Sequence, residues 1–257
     1  MRSALTTAKS VTYSAADVLT RRRGIARQFN GHTVRFPPRW ARYYPTDYEP
    51  AKQSFLEEMC PEGGTVIDGG AHIGLFTVIM ARAVGPAGKV LAFEPTPDTR
   101  TVLSRTLELN DVENVTVQAS DLSSTSGTAT FHATADPVSN ANSLGRVSRT
   151  AVEFSVHTCA LDDLSLGRVS CIKLDIEGGE LDALLGASEL LRRDRPAIAM
   201  EVHPEQLLLF GQSSKQLWAV LAEHGAEVRR NGVALNEAQF TRESEPFEVQ
   251  ITLDGHR

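Results

Sequence analysis

The stretch Val66-Ile67-Asp68-Gly69-Gly70-Ala71-His72-Ile73-Gly74 decides how the rest of the chain is read. A β-branched pair leads into an acid, two glycines follow, and an apolar helical pattern begins at Gly74. This is the order of a strand, a tight turn and a helix N-terminus. A helix N-terminus presents unpaired N–H groups and the positive end of a dipole, so it receives anionic groups. Glycine lets a backbone approach a ligand with no Cβ in the way. The stretch therefore reads as a nucleotide-type cofactor loop. The plainer reading is a glycine-rich βα turn with no ligand.

Downstream, strand and helix alternate. Strands are expected at 65–68, 89–94, 115–119, 169–175 and 196–202, with 226–230 and 247–253 closing the chain. Helices are expected at 75–84, at 97–109 behind Thr96 and Pro97, at 179–192 and at 214–224. The third has Leu181, Leu184, Leu185 and Leu190 as its core stripe. Strands separated by such helices imply βαβ units and a parallel sheet buried on both faces. The pattern breaks at about 123–160. There 128–132 and 152–158 alternate with period two, as in an antiparallel pair, and the polar segment 136–149 is a candidate flap.

Upstream, a short helix is expected over 15–23, then a hairpin of 25–29 and 33–36 around Asn30-Gly31. Trp40, Tyr43, Tyr44 and Tyr48 either pack this arm onto the body or line a substrate mouth. A helix over 49–60 follows, with Pro50 in its first turn and Phe55, Leu56 and Met59 on one face. The chain divides into an arm, 1–47, and one α/β domain, 48–257, that carries the insertion.

Charge narrows the function. The net charge is −6, yet residues 1–46 hold nine basic residues against Asp17, a local +8 that leaves −14 for the body. An acidic body argues against nucleic acid as partner. No apolar run reaches the roughly 18–20 residues that span a membrane, and no apolar leader opens the chain. Cys60, Cys159 and Cys171 lack metal-ligand spacing and read as reduced thiols of a cytoplasmic protein.

In an open parallel sheet, ligands sit beyond the carboxyl ends of the strands. Those ends carry Asp68, Gly70, His72 and Gly74, then Glu94, then Ser120 and Asp121, then Asp175 and Glu177, then Glu201 and His203. Acids are seldom buried without partners, so acids at every end suggest a site. Glu94 follows the glycine loop by about 20 residues, the distance at which a carboxylate takes two ribose hydroxyls. The acid at 68 and the spacing of Gly70 and Gly74 suit S-adenosylmethionine better than a dinucleotide pyrophosphate. Asp121 then faces the adenine amine, with Ser120 beside it, or is a turn residue. No Tyr/Lys or Ser/Tyr set supports an NAD-type oxidoreductase. A nucleoside-binding protein without catalysis is the other alternative.

VIDGGAHIGLFT, AFEPTPDT and especially CIKLDIEGGELDALLGASELLRRDRPAIAMEVH resemble the FkbM family of S-adenosylmethionine-dependent methyltransferases. The resemblance runs from about Tyr48 to His203. It implies a class I fold, a seven-stranded, mostly parallel sheet whose last strand is antiparallel. It implies O-methylation of a small-molecule hydroxyl on a sugar, glycoside or polyketide-type metabolite. It carries cofactor binding onto Asp68, Gly70, Gly74 and Glu94, with His72 in the loop as a backbone contact.

Two mechanisms suit the far rim. In one, His203 or a rim carboxylate is the general base. In the other, Asp175 and Glu201, with or without His203, hold Mg²⁺ that acidifies the hydroxyl. Lys173 pairs with Asp175 or Glu177, and Glu180 stands at a helix N-terminus. The acceptor is a small molecule, its choice set by the arm and the insertion. Self-association is left open.

Overall fold

A computed structural model of the protein describes residues 23–133 and 152–255. The helix expected over 15–23, but for its last residue, and the flap at 136–149 lie outside them. The hairpin forms as β1 (Ile25–Phe29) and β2 (His32–Phe36), with Asn30 and Gly31 both at positive φ, 44° and 95°. After α1 (Pro50–Met59) come β3 (Thr65–Gly69), α2 (Leu75–Val84), β4 (Lys89–Phe93), α3 (Pro97–Leu109) and β5 (Val115–Gln118). The insertion contributes β6 (Ser120–Leu122), β7 (Gly127–Ala133) and β8 (Val152–Cys159). The chain returns through β9 (Val169–Leu174), α4 (Glu180–Leu185), α5 (Ser188–Asp194), β10 (Ala197–Val202), α6 (Pro204–Leu209) and α7 (Ser214–Glu223). It closes with β11 (Ala226–Arg230), β12 (Val233–Ala234), α8 (Glu237–Thr241) and β13 (Phe247–Leu253).

The main sheet has the order β12-β11-β13-β10-β9-β3-β4-β5. Strands β5, β4, β3, β9 and β10 are mutually parallel, and β13 enters antiparallel to both β10 and β11. This is the seven-stranded class I arrangement, with the two-residue β12 added at one edge. Chain order reverses at β3, whose two neighbours are β4 and β9. The cleft beyond that point is where such a sheet binds ligands.

Alternation along each strand divides the core into two layers. Val66 faces the layer with α2 and the arm, and its neighbour Ile67 faces the layer with α4 and α5. Both are fully buried. Along β9 and β10 the arm-side layer receives Cys171, Ala197 and Ala199, while the other receives Ile172, Leu174, Ile198 and Met200. Small residues on the arm side let α1 lie close against β9 and β10. Phe29, Val34 and Phe36 of the hairpin join the same layer.

Three elements depart from the sequence reading. The helix expected over 179–192 is two helices, and Gly186 between them packs so closely on the insertion that a Cβ there would lie 2.1 Å from the Ser123 carbonyl. Asp162 then caps the second of them, accepting from Glu189 and Leu190 N–H at 2.8 Å each. The segment after Asn231-Gly232 turns into β12 and then α8, which Asn236 and Gln239 start with a reciprocal capping box. Ser120 and Asp121 do not simply trail the third strand; they form β6, parallel to β8 in a separate sheet of order β6-β8-β7. The antiparallel pair expected there is present as β7 and β8.

The glycines of the decisive stretch are held by contacts. Gly70 has φ 72°, and a Cβ there would lie 1.8 Å from the Asp175 carbonyl oxygen. Gly232 also has positive φ, 78°, but nothing lies within 4 Å of its would-be Cβ. Gly70→Ala is expected to cost about 3 kcal/mol in denaturant unfolding, from left-handed strain plus overlap, and Gly232→Ala about 1 kcal/mol. Equal costs at the two positions would refute the close approach of β3 and β9.

Candidate functional site

Asp68, at the end of β3, is completely buried. Its Oδ2 accepts from Thr77 Oγ1 on α2 at 2.6 Å, and its Oδ1 lies 3.1 Å from Lys173 Nζ on β9. Lys173 also donates to the carbonyls of Gly69 and Gly70, at 3.2 and 2.9 Å. The N–H groups of Gly70 and Ala71 both reach the Phe93 carbonyl, at 3.1 and 2.9 Å. The loop is thus fastened to β4 on one side and β9 on the other. Asp68 orients the loop from behind and does not line the cleft.

The cleft opens beyond the loop, lined by Gly70, His72, Glu94, Asp121, Asp175 and Glu177 with Tyr44, Tyr48 and Phe76. Glu94 follows β4 and is 6% exposed. Its Oε2 accepts from His72 N–H at 3.0 Å and its Oε1 from Thr96 N–H at 2.9 Å. The Thr96 side chain adds a third hydrogen bond to this carboxylate. Burial raises the Glu94 pKa against these bonds. His72 adopts φ 49°, and its Nδ1 lies 2.8 Å from the Tyr44 hydroxyl. Tyr43 stacks on its ring, with centroids 4.9 Å apart. The arm's aromatics therefore both pack on the body and wall the cleft. Asp121, on β6, gives Oδ1 to Leu122 N–H at 3.0 Å. Burial first, and then the nearby charge of Glu94, push its pKa up to about 8.

At the other end of the cleft, acids gather around three cations. Lys52, from α1, is 1% exposed. Its Nζ lies 2.5 Å from Glu49, 3.1 Å from Glu248, 3.7 Å from Glu201 and 3.9 Å from Asp175. Burial raises the Asp175 pKa, but Lys52, Lys173 and His203 outweigh it, and Asp175 stays ionised below the usual range. His203 Nδ1 is 2.7 Å from Glu180, and Nε2 faces Glu177 at 3.6 Å and Glu201 at 3.9 Å. Burial opposes its charge, yet the bond to Glu180 and the fields of Glu180, Glu177 and Asp175 raise its pKa to about 9. At neutral pH His203 is an imidazolium and has no free basic nitrogen. Glu177 sits at φ 51°, a strained setting for a non-glycine residue. Burial and neighbouring acids raise its pKa to about 7 against the pull of His203.

Of the residues singled out in the sequence, Gly70, His72, Glu94, Asp121 and Asp175 meet at one cleft. Asp68 and Gly74 support it from behind, and Ser120, Glu201 and His203 are off its lining. The proposed metal pair Asp175 and Glu201 does converge, but onto the Lys52 ammonium. Asp175, Glu177 and His203 also bring one ligand atom each to within 4.8 Å of one another. Lys52 escaped the sequence reading. Its signal was a lysine at i, i+4 and i+7 with Leu56 and Met59, on the stripe that should be apolar. Glu248 escaped as well, because only the β13 register sets it opposite Glu201.

Residues 68–228 match the Methyltransferase FkbM domain family. Among curated proteins, the chain is 32% identical over 162 residues to Methyltransferase sdnD of Sordaria araneosa, covering 50% of this chain and 62% of that protein. It is 28% identical over 151 residues to Methyltransferase 1 of Beauveria bassiana (strain ARSEF 2860), covering 50% of this chain and 60% of that one. The matched region thus spans less than two thirds of either relative. Among solved structures, the ribosomal protein L11 methylase from Lactobacillus delbrueckii subsp. bulgaricus superposes with TM-score 0.51 at 15% identity, over 87% of this chain and 86% of that one. Methyltransferase FkbM from Methylobacillus flagellatus KT gives 0.47 at 18% identity, over 75% and 44%.

The cleft costs stability, and Asp121 tests this. Folded, it keeps its proton up to about pH 8; unfolded, only to its ordinary 3.8. Its burial therefore penalises the fold increasingly as pH rises between those values. Asp121→Asn keeps the acceptor for Leu122 N–H. It is expected to melt roughly 2–4 °C above wild type at about pH 8.5, with the gain vanishing toward about pH 4. A gain that does not change with pH would contradict the buried-charge account.

Proposed function

The chain belongs to the FkbM methyltransferase family, and from that premise we propose that it transfers the methyl group of S-adenosylmethionine to a hydroxyl of a small acceptor such as a sugar, glycoside or polyketide-type metabolite. The observation that carries the donor is Glu94. It is a buried carboxylate on the cleft lining, pinned by the N–H groups of His72 and Thr96 and by the Thr96 side chain, beside a glycine loop. That arrangement suits the paired hydroxyls of a ribose. Asp121, beyond it in the same cleft, suits the adenine amine.

Methyl transfer breaks the bond from methyl carbon to sulfur and forms one to the acceptor oxygen. The sulfonium becomes a neutral thioether, and the hydroxyl proton passes to the protein. The sulfonium already activates the methyl, so the protein's part is alignment and the proton. Asp175 and Glu177 both face the cleft. Asp175, held ionised by two lysines, is suited to orient the hydroxyl. Glu177, with its pKa near 7, is the better base at neutral pH. His203 and Glu180 stand behind it as its support. Mg²⁺ between Asp175 and Glu201 does not fit the donor set, since an ammonium already lies against both carboxylates. No step is routed through a metal.

Calorimetry with S-adenosylmethionine, S-adenosylhomocysteine and NAD tests the donor. Wild type is expected to bind the first two and not NAD, and Glu94→Gln to bind S-adenosylhomocysteine roughly a hundredfold more weakly. Absence of heat with both sulfur nucleosides would end this reading. For the proton, kcat/KM should rise with pH and level off above about pH 7, and Glu177→Gln should lower kcat by 10²-fold or more, roughly, with cofactor affinity kept. A flat pH profile would remove Glu177 from that role.

A further inference from the structure

Glu201 on β10 and Glu248 on β13 are direct cross-strand partners. Like charges in that position destabilise an antiparallel pair, so a cation has to lie over them. The cation comes from outside the sheet. Lys52 reaches in from α1, and its ammonium stands against Glu248, Glu201, Asp175 and Glu49 at once. Two features of the chain look built for this. Cys171, Ala197 and Ala199 leave room for α1 on that face of the sheet. Glu49, just before α1, adopts φ 43°, a left-handed backbone unusual for glutamate, and brings its carboxylate onto the same ammonium.

A divalent cation asks for what Lys52 already has: carboxylate oxygens from several elements converging on one buried point. Two of those acids, Asp175 and Glu201, stand at the ends of adjacent parallel strands, β9 and β10.

We propose that Lys52 is a positioning residue of the acceptor site, and that its ammonium stands in for a metal by bridging Asp175, Glu201 and Glu248 and fixing Asp175 on the cleft wall. The kinetic part rests on the methyl-transfer reading given above. The metal-binding part does not, so the two can fail separately. Removing the ammonium leaves four acids around an oxygen-rich pocket with only Lys173, 4.0 Å from Asp175, and His203, 3.9 Å from Glu201, at its margin, and such a pocket takes Mn²⁺.

Mn²⁺ titration followed by electron paramagnetic resonance, on the full chain, separates the outcomes. Wild type and Lys52→Arg are expected to leave Mn²⁺ free up to about 1 mM, and Lys52→Met to bind it and gain thermal stability from it. Lys52→Met/Glu248→Gln removes the charge together with one of its acids. It keeps the test open where the single variant fails to fold, and is also expected to bind Mn²⁺. In turnover, Lys52→Met should lower kcat roughly a hundredfold with S-adenosylhomocysteine affinity within about threefold of wild type, and Lys52→Arg should recover most of the rate. Wild-type Mn²⁺ binding that Asp175→Asn abolishes would overturn the proposal. So would a folded Lys52→Met, or the double variant, that binds no Mn²⁺.

Discussion

An excess of buried negative charge governs one end of this fold. Among the described residues, ion pairs within 4 Å join seven carboxylates, Glu49, Asp68, Asp175, Glu177, Glu180, Glu201 and Glu248, to three cations, Lys52, Lys173 and His203. Buried charges persist only where partners offset the loss of water. With too few cations to go round, the balance is met by shifted protonation: Glu177 and Glu248 are raised to about 7, and Glu201 is raised as well. Each cation must also sit where it serves several acids. That requirement places α1 over the sheet, because nothing else delivers Lys52.

The same logic runs through the centre of the sheet. Lys173 is a buried β9 residue on a mostly apolar strand, and it sits next to Asp68 in the β3–β9 register. Its ammonium takes one charge from Asp68 and two carbonyls from the glycine loop. A buried pair of this kind is weak evidence of net stability, and removing one partner is costly. Here the pair does something besides stabilise. It holds the loop's carbonyls toward β9 and leaves its N–H groups for Phe93 and, through His72, for Glu94. The geometry of the glycine loop thus depends on a charge pair in which Asp68 stands behind the loop and Lys173 reaches the cleft wall.

Much of this was legible in the chain, for a local reason. The β3–α2 turn, Glu94 and the alternating βα pattern depend on short-range spacing and period, which sequence displays directly. The break in the helix over 179–192 falls where Gly186 packs against Ser123, more than sixty positions away, a contact that local periodicity does not display. α8 has only five residues, and its capping box is the signal that was present. Glu248 gains its meaning only when the β13 register sets it opposite Glu201. Lys52 gains its meaning only from the four carboxylates that its ammonium meets. Neither residue is informative alone, because each has meaning only through contacts that topology creates. His203 stands behind the cleft acids and off the cleft lining, and its charge was not legible, since that depends on Glu180 and Glu177 both facing it.

Two carboxylates on one cleft wall can then do different work without differing in chemistry. Asp175 faces two ammonium groups at 3.9 and 4.0 Å, so its charge is retained and its proton affinity lowered. Glu177, two residues on, has its proton affinity raised first by burial and then by neighbouring acids, and the one imidazolium it faces, shared with Glu180 and Glu201, does not offset this. Environments that push neighbouring titratable groups apart are how one fold assigns acceptor and base. In this chain the two acids differ in how far nearby cations offset the cost of burial. That in turn follows from a lysine on α1 and a histidine after β10, placed on opposite sides of the same strand end. On the methyl-transfer reading proposed above, the loop after β3 would hold the donor, and these cations would set the charge of the carboxylates that meet the acceptor.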